Sequence, residues 1–225
     1  MRNRADRLAE SVTIPAGAER LRGVLTLPQE PLGLVIFTHG SPASRMSAQD
    51  RSVGEILVRA GFATLLLDLP GDREGADRDQ AFDLPLLGDR LVQATAWAAA
   101  HAATTGLPIG YFGTGTGAAA ALVAAAALPG VRAVVSRSGR PDLAGPALAQ
   151  VSTPTLLVVG AGDTPVVALN REALARLSGP KRLVIVPGAT HLFPEPGALA
   201  TVARLAGRWF AHYLIAAQPH PALAG

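Results

Sequence analysis

The chain of 225 residues contains no cysteine. Disulfides, thiolate catalysis and cysteine-ligated metals are thereby excluded. Aromatic residues make up only 4%, and the arginines are scattered through a chain whose formal charge is +3. A nucleic-acid binder would cluster its cations beside stacking rings, so no nucleic acid partner is expected. Charged residues are also sparse, at 16% against 49% hydrophobic, which excludes a disordered chain or a coiled coil. The longest apolar stretch, about residues 118–128, is too short and too rich in alanine to span a bilayer, so no membrane is expected. The basic start, Met1 to Arg7, has no apolar segment behind it, so no signal peptide is read and a cytoplasmic location is expected. Asp68 and Asp72 lack companions at ligand spacing, so neither a metal nor a cofactor is expected.

What is present alternates between two periods. Residues 21–27 alternate apolar and other side chains, with 10–15 as a hairpin partner across Ala16-Gly17. Continuous apolar runs at 34–37, 63–67, 131–135, 154–159 and 182–186 suit strands buried on both faces. Helical spacing appears at 49–60, 84–103, 169–177 and 197–214, with a short helix near 143–150 and a charged loop at 68–83. These units predict an α/β fold: a mainly parallel sheet with an N-terminal antiparallel hairpin and helices on both faces. No linker or repeat divides it, so residues 1–225 read as one domain, with 1–8 and 217–225 expected to fray. Trp209, Phe210 and Tyr213 crowd the last helix. They are read first as core and second as a homodimer contact, leaving monomer or homodimer open.

The chain turns on residues 109–122, IGYFGTGTGAAAAL. A short apolar run meets an alanine-rich helix pattern through glycines at every second position. Such a junction needs small residues, because the reversal requires positive φ and the helix must then pack closely on its strand. It resembles the nucleophile elbow of α/β-hydrolases, G-x-S-x-G, which lifts a serine above the carboxyl edge of a sheet. Here the frame is Gly113-Thr114-Gly115-Thr116-Gly117, and the serine position is held by Gly115.

Reactive side chains fall where chemistry gathers in such sheets, in the loops after the strands. His39 follows the 34–37 run, Asp163 follows 154–159, and His191 follows 182–186. The order elbow, acid, histidine is that of the α/β-hydrolases. Over about residues 11–213 the chain resembles their dienelactone-hydrolase-like branch. The matching stretches are Phe37-Thr38-His39-Gly40-Ser41, Ala63 to Leu69, Gly110-Tyr111-Phe112-Gly113, Gly162-Asp163-Thr164-Pro165-Val166 and Gly188-Ala189-Thr190-His191-Leu192-Phe193. The resemblance implies an open site with no lid, since few residues separate Ser136 from Pro154. It implies His191 as general base and acid, Asp163 as its orienting partner, and backbone N–H groups of Ser41 and Thr116 as the oxyanion hole. His39, Gly40, Ser136 and Arg137 would border the substrate pocket. The substrate implied is a small ester or lactone.

Gly115 leaves the nucleophile position vacant. Thr114 is the candidate substitute, with Thr116 behind it because Thr116 should begin the helix. A water activated by His191 is another answer, and proton transfer on a bound substrate, as in a cofactor-free lyase or oxygenase, a third. A catalytically inactive protein, whether natural or an inactivated variant, is the fourth. The same glycines also fit the dinucleotide fingerprint as Gly113-x-Gly115-x-x-Ala118, with Arg137 suiting a 2′-phosphate. That fingerprint normally opens the first strand–helix unit, whereas two buried strands precede this one. A tryptophan-fluorescence titration with NADPH separates the readings, and no change is expected.

Overall fold

Alternating apolar residues in the first thirty positions fold back on themselves. β1 (Leu8–Ala16) pairs antiparallel with β2 (Glu19–Leu27), Leu8 opposite Leu27 and Ala16 opposite Glu19. Ile14, Leu21 and Leu25 are fully buried, while Arg20 and Arg22 on the other face of β2 are exposed. The hairpin is therefore longer at its outer end than the 10–15 and 21–27 runs suggest. The structure is a computed structural model describing residues 8–39, 47–69 and 83–215.

β2 leads antiparallel onto β4 (Ala63–Asp68), which pairs parallel with β3 (Leu34–His39). Four further parallel strands complete the sheet: β5 (Ile109–Thr114), β6 (Val131–Arg137), β7 (Thr155–Gly160) and β8 (Lys181–Val186). The order is β1-β2-β4-β3-β5-β6-β7-β8. Because β3 to β8 all run the same way, their carboxyl ends form one edge. This is the α/β-hydrolase sheet, and the short segment between β6 and β7 holds no lid.

Helices cover both faces. α1 (Ala48–Arg59) and α5 (Ala198–Phe210) enclose one core with Phe37, Leu57, Phe112 and Val202. α2 (Leu84–Ala100), α3 (Thr116–Ala127) and α4 (Thr164–Arg176) enclose the other, around Leu65, Leu91, Tyr111 and Leu122. Phe210 is fully buried, its ring centroid 6.2 Å from that of Phe62. Trp209 Nε1 donates to the Pro154 carbonyl at 3.3 Å, so much of the aromatic cluster belongs to packing within the chain.

Several helix boundaries differ from the sequence reading. α4 starts at Thr164 rather than 169, because Pro165 in its first turn supplies a start signal that apolar spacing does not register. α2 stops at Ala100 rather than 103: His101 is extended, and the Thr104 hydroxyl donates to the Ala98 carbonyl at 2.5 Å. The short helix expected at 143–150 is a 3₁₀ segment, Pro141–Gln150, broken at Gly145. The closing helix ends at Phe210 and passes into a π-turn, Ala211–Ile215. Of the expected 68–83 loop, residues 70–82 lie outside the described residues, as do 1–7 and 216–225.

α3 lies unusually close to the sheet. A Cβ on Gly117 would stand 2.4 Å from the Thr38 carbonyl oxygen, and one on Gly113 would stand 2.5 Å from Ala118 Cα. Thr38 Oγ1 fastens the contact by donating to the Gly117 carbonyl at 2.9 Å. Backbone, unlike a flexible side-chain tip, cannot give way cheaply. Gly117→Ala should therefore lose about 1–3 kcal/mol of stability in urea unfolding, the usual cost of overpacking. Gly130→Ala, whose Cβ would meet nothing within 4 Å, should change stability by less than roughly 1 kcal/mol.

Candidate active site

At the end of β7 the chain turns through Gly160, Ala161 and Gly162 and enters α4 at Asp163. An aspartate here ordinarily caps its own helix. Asp163 makes no such side-chain bond. Its Oδ2 instead lies 2.5 Å from His191 Nδ1, in the loop that follows β8. An ionised carboxylate only accepts, so Nδ1 carries the hydrogen and Nε2 is left with a free lone pair. The helix forgoes a cap usually worth about 1 kcal/mol. Local rules are broken in this way where a site needs the side chain elsewhere, which makes the pair a candidate.

Several contacts hold the two loops together. Gly162 N–H donates to the Ala189 carbonyl at 2.9 Å, and a Cβ at Gly160 would strike that same oxygen. Thr190 donates its N–H and its hydroxyl to Glu195 Oε1, at 3.0 and 2.6 Å. The donated hydroxyl holds the Glu195 carboxyl below its usual range. His191 itself stands out of this frame, its side chain 54% exposed against 15% for Asp163.

The elbow has the geometry its glycines suggest. Gly115 adopts φ 55° and ψ −130°, and Thr116 is the first residue of α3. A Cβ at Gly115 would meet nothing within 4 Å among the described residues. The Thr116 N–H belongs to the first turn, where helix donors lack intrahelical partners. Past β6, Arg140 N–H donates to the Gly115 carbonyl at 3.0 Å, and Ser138 Oγ donates to the His191 carbonyl at 2.7 Å. The segment after β6 thus touches both the apex and the histidine loop, while Asn170 of α4 donates to its Gly139 carbonyl at 3.1 Å.

A second polar group lies at the same edge, on the α1 face. Parallel register sets His39 beside both Asp68 and Thr114, and Thr114 beside Arg137. Arg137 pairs with Asp50 of α1 at 3.0 Å, both side chains nearly buried. Thr114 is buried, and its hydroxyl makes a long 3.5 Å contact to the other Asp50 oxygen. Burial pushes the His39 imidazole down and Arg137 adds to this, while Asp50 and Asp68 oppose it. Ser136 is fully buried and, by strand alternation, faces away from Arg137. The structure therefore does not bring Ser136 and Arg137 to one pocket wall. Gly40 and Ser41 lie outside the described residues.

Asp50, Arg140 and Glu195 carry no motif that would single them out. Asp50 reaches Arg137 across 87 positions, a separation on which local pattern is silent. Among the described residues, no group of three or more histidine or acidic side chains is arranged to hold a metal, and no helix is long and apolar enough to cross a membrane.

The fold has clear counterparts. The crystal structure of a dienelactone hydrolase from Anabaena variabilis matches with a TM-score of 0.89 and 50% identity, over 93% of this chain and 99% of that one. The esterase domain of a Rhodothermus marinus protein shares the fold at 20% identity, with a TM-score of 0.73 over 92% of this chain and 99% of its own. Two Mycobacterium tuberculosis proteins, provisionally named phosphoribosyl transferases, are 52% identical over 211 residues, 93% of this chain and 48% of theirs. The chain spans about half the length of the curated relatives it matches. No protein-family model matches it. An eight-stranded sheet with an N-terminal hairpin, a glycine elbow after β5 and half its residues shared with a dienelactone hydrolase along nearly both chains place this protein in the dienelactone-hydrolase-like branch of the α/β-hydrolases.

Proposed function

We propose that the protein hydrolyses small carboxylic esters or lactones with a water in place of the usual serine. The observation that carries this reading is the Asp163–His191 pair, in which a helix-cap aspartate is given over to orienting one imidazole. His191 Nε2 takes a proton from a water lodged over Gly115 as the water oxygen attacks the carbonyl carbon. The resulting oxyanion sits against the Thr116 N–H, with Ser41 as the second donor the family resemblance implies. Collapse breaks the carbon–oxygen bond to the leaving alkoxide, which takes back the proton from the imidazolium. One ester and one water give one acid and one alcohol.

Thr114 serves this scheme poorly as a substitute nucleophile, because it is buried and its hydroxyl is turned to Asp50. The room at the apex among the described residues favours water instead. The substrate class comes from the dienelactone hydrolase relative. The transferase name of the Mycobacterium tuberculosis relatives belongs, in this reading, to the half of those proteins that this chain does not span.

On short p-nitrophenyl esters the unmodified protein should turn over slowly and without a burst. His191→Ala should lower that rate by roughly 10²–10⁴-fold, the usual share of a general base. Gly115→Ser should raise the rate, show a burst and become labelled by a phosphonate. Its folding cost should be on the order of 1–3 kcal/mol, set by the left-handed backbone rather than by crowding. A folded Gly115→Ser protein with neither label nor activity would overturn the hydrolase reading. An inert unmodified protein beside an active Gly115→Ser variant would identify an inactive member of the family.

In the Gly115→Ser background, Asp163→Asn should lower kcat by about 10⁴-fold, because an amide no longer enforces the Nδ1–H tautomer. Stopped-flow acylation rates measure this directly.

A further inference from the structure

Among the described residues, two that are not glycine hold a left-handed backbone: Ser138 at φ 42° and Phe193 at φ 54°. Both bear on His191. Ser138 donates its hydroxyl to the His191 carbonyl across 53 positions of sequence. Phe193 follows His191 by two residues, its ring almost fully buried in the core under α1 and α5. Left-handed backbone is unfavourable for any residue with a Cβ, and neither serine nor phenylalanine is among the types that visit it readily. Such residues persist where their surroundings hold them in place, and they gather at functional sites.

We propose that Ser138 is a positioning residue for the Asp163–His191 pair. Its buried hydroxyl fixes the His191 backbone, and with it the direction in which the ring leaves the chain. The need is visible in the exposure of this loop: the side chains of His191 and Leu192 are each more than half exposed, so packing does little to aim the imidazole. Three anchors hold the loop from below: Thr190 through Glu195, Phe193 through its buried ring, and His191 itself through Ser138. Of these, the Ser138 bond acts on the histidine directly.

Ser138 also belongs to the segment whose Arg140 N–H grips the Gly115 carbonyl. The same short stretch therefore sets the histidine and the vacant apex relative to one another. Glycine would take φ 42° at position 138 without a Cβ clash. The serine adds a hydroxyl at the expense of that ease, and the hydroxyl goes to His191.

The catalytic part of this inference rests on the hydrolase reading, but its structural part does not, and the test separates them. Ring-nitrogen NMR of the ¹⁵N-histidine-labelled protein, under conditions where the imidazole is neutral, reports the tautomer of His191, with His191→Ala used to assign its signals. The unmodified protein should show the Nδ1–H form. Ser138→Gly, which relieves the left-handed strain, and Ser138→Ala, which removes only the hydroxyl, should both shift His191 toward a mixture of tautomers.

Ser178→Ala, which removes a comparable hydroxyl bond to the Val151 carbonyl, should leave the tautomer unchanged. In the Gly115→Ser background, Ser138→Gly should lower kcat by roughly 10–10²-fold with KM nearly constant, as misplacement of a catalytic group does. Folded Ser138 variants that keep the Nδ1–H form would overturn the proposal, as would an unchanged kcat in an active Gly115→Ser background. Inactivity of Gly115→Ser itself counts against the hydrolase reading alone, because the tautomer measurement needs no turnover.

Discussion

Contact between α3 and the backbone of β3 and β5, possible because Gly113 and Gly117 have no side chains, sets the rest of the structure in place. The helix meets the sheet at a distance no Cβ would allow, with the Thr38 hydroxyl bonded to its first turn. That closeness makes the connection from β5 to α3 a sharp reversal, and the reversal puts Gly115 at φ 55° on top of the sheet. Everything a site would need is then measured from this apex. The first helical N–H groups lie beside it, and the segment after β6 ties down its carbonyl.

From the apex outward, polar groups fall into two sets with different characters. On one side, Asp163 and His191 are partly open to solvent and are held by backbone bonds between neighbouring loops. On the other, Asp50, Arg137 and Thr114 form a nearly dry layer over the core under α1, with the less buried His39 beside them. A buried ion pair gains little net stability over a well-packed apolar core, although removing one partner is costly. What the Asp50–Arg137 pair does supply is a fixed relation between the start of α1 and the end of β6. The exposed pair is suited to handle protons and the buried layer to hold shape.

Glycine suits position 115, because the elbow depends on Gly113 and Gly117 and not on the residue at its tip. A glycine there removes a left-handed strain instead of a packing contact, since a Cβ at that point would touch none of the described residues. The Asp163–His191 pair is carried by other elements, the loops after β7 and β8. The residue at the apex can therefore change while the fold, the elbow and the Asp163–His191 pair stay in place.

Local pattern in the sequence determined the hairpin, the buried strands, the two helical layers and the loops that bear Asp163, His191 and Gly115. Strand burial and helix amphipathicity are written at short range, as periods of two and 3.6 residues. The order of elbow, acid and histidine is likewise linear information. Only the tertiary structure decided that Asp163 gives its carboxylate to His191 rather than to its own helix, and that Thr114 is turned to Asp50. It also decided the partner of the Ser138 hydroxyl, a carbonyl 53 residues away. These are choices between hydrogen-bond partners of similar strength. They are made by which backbones the packed sheet brings within 3 Å of one another, and no window of sequence contains that distance.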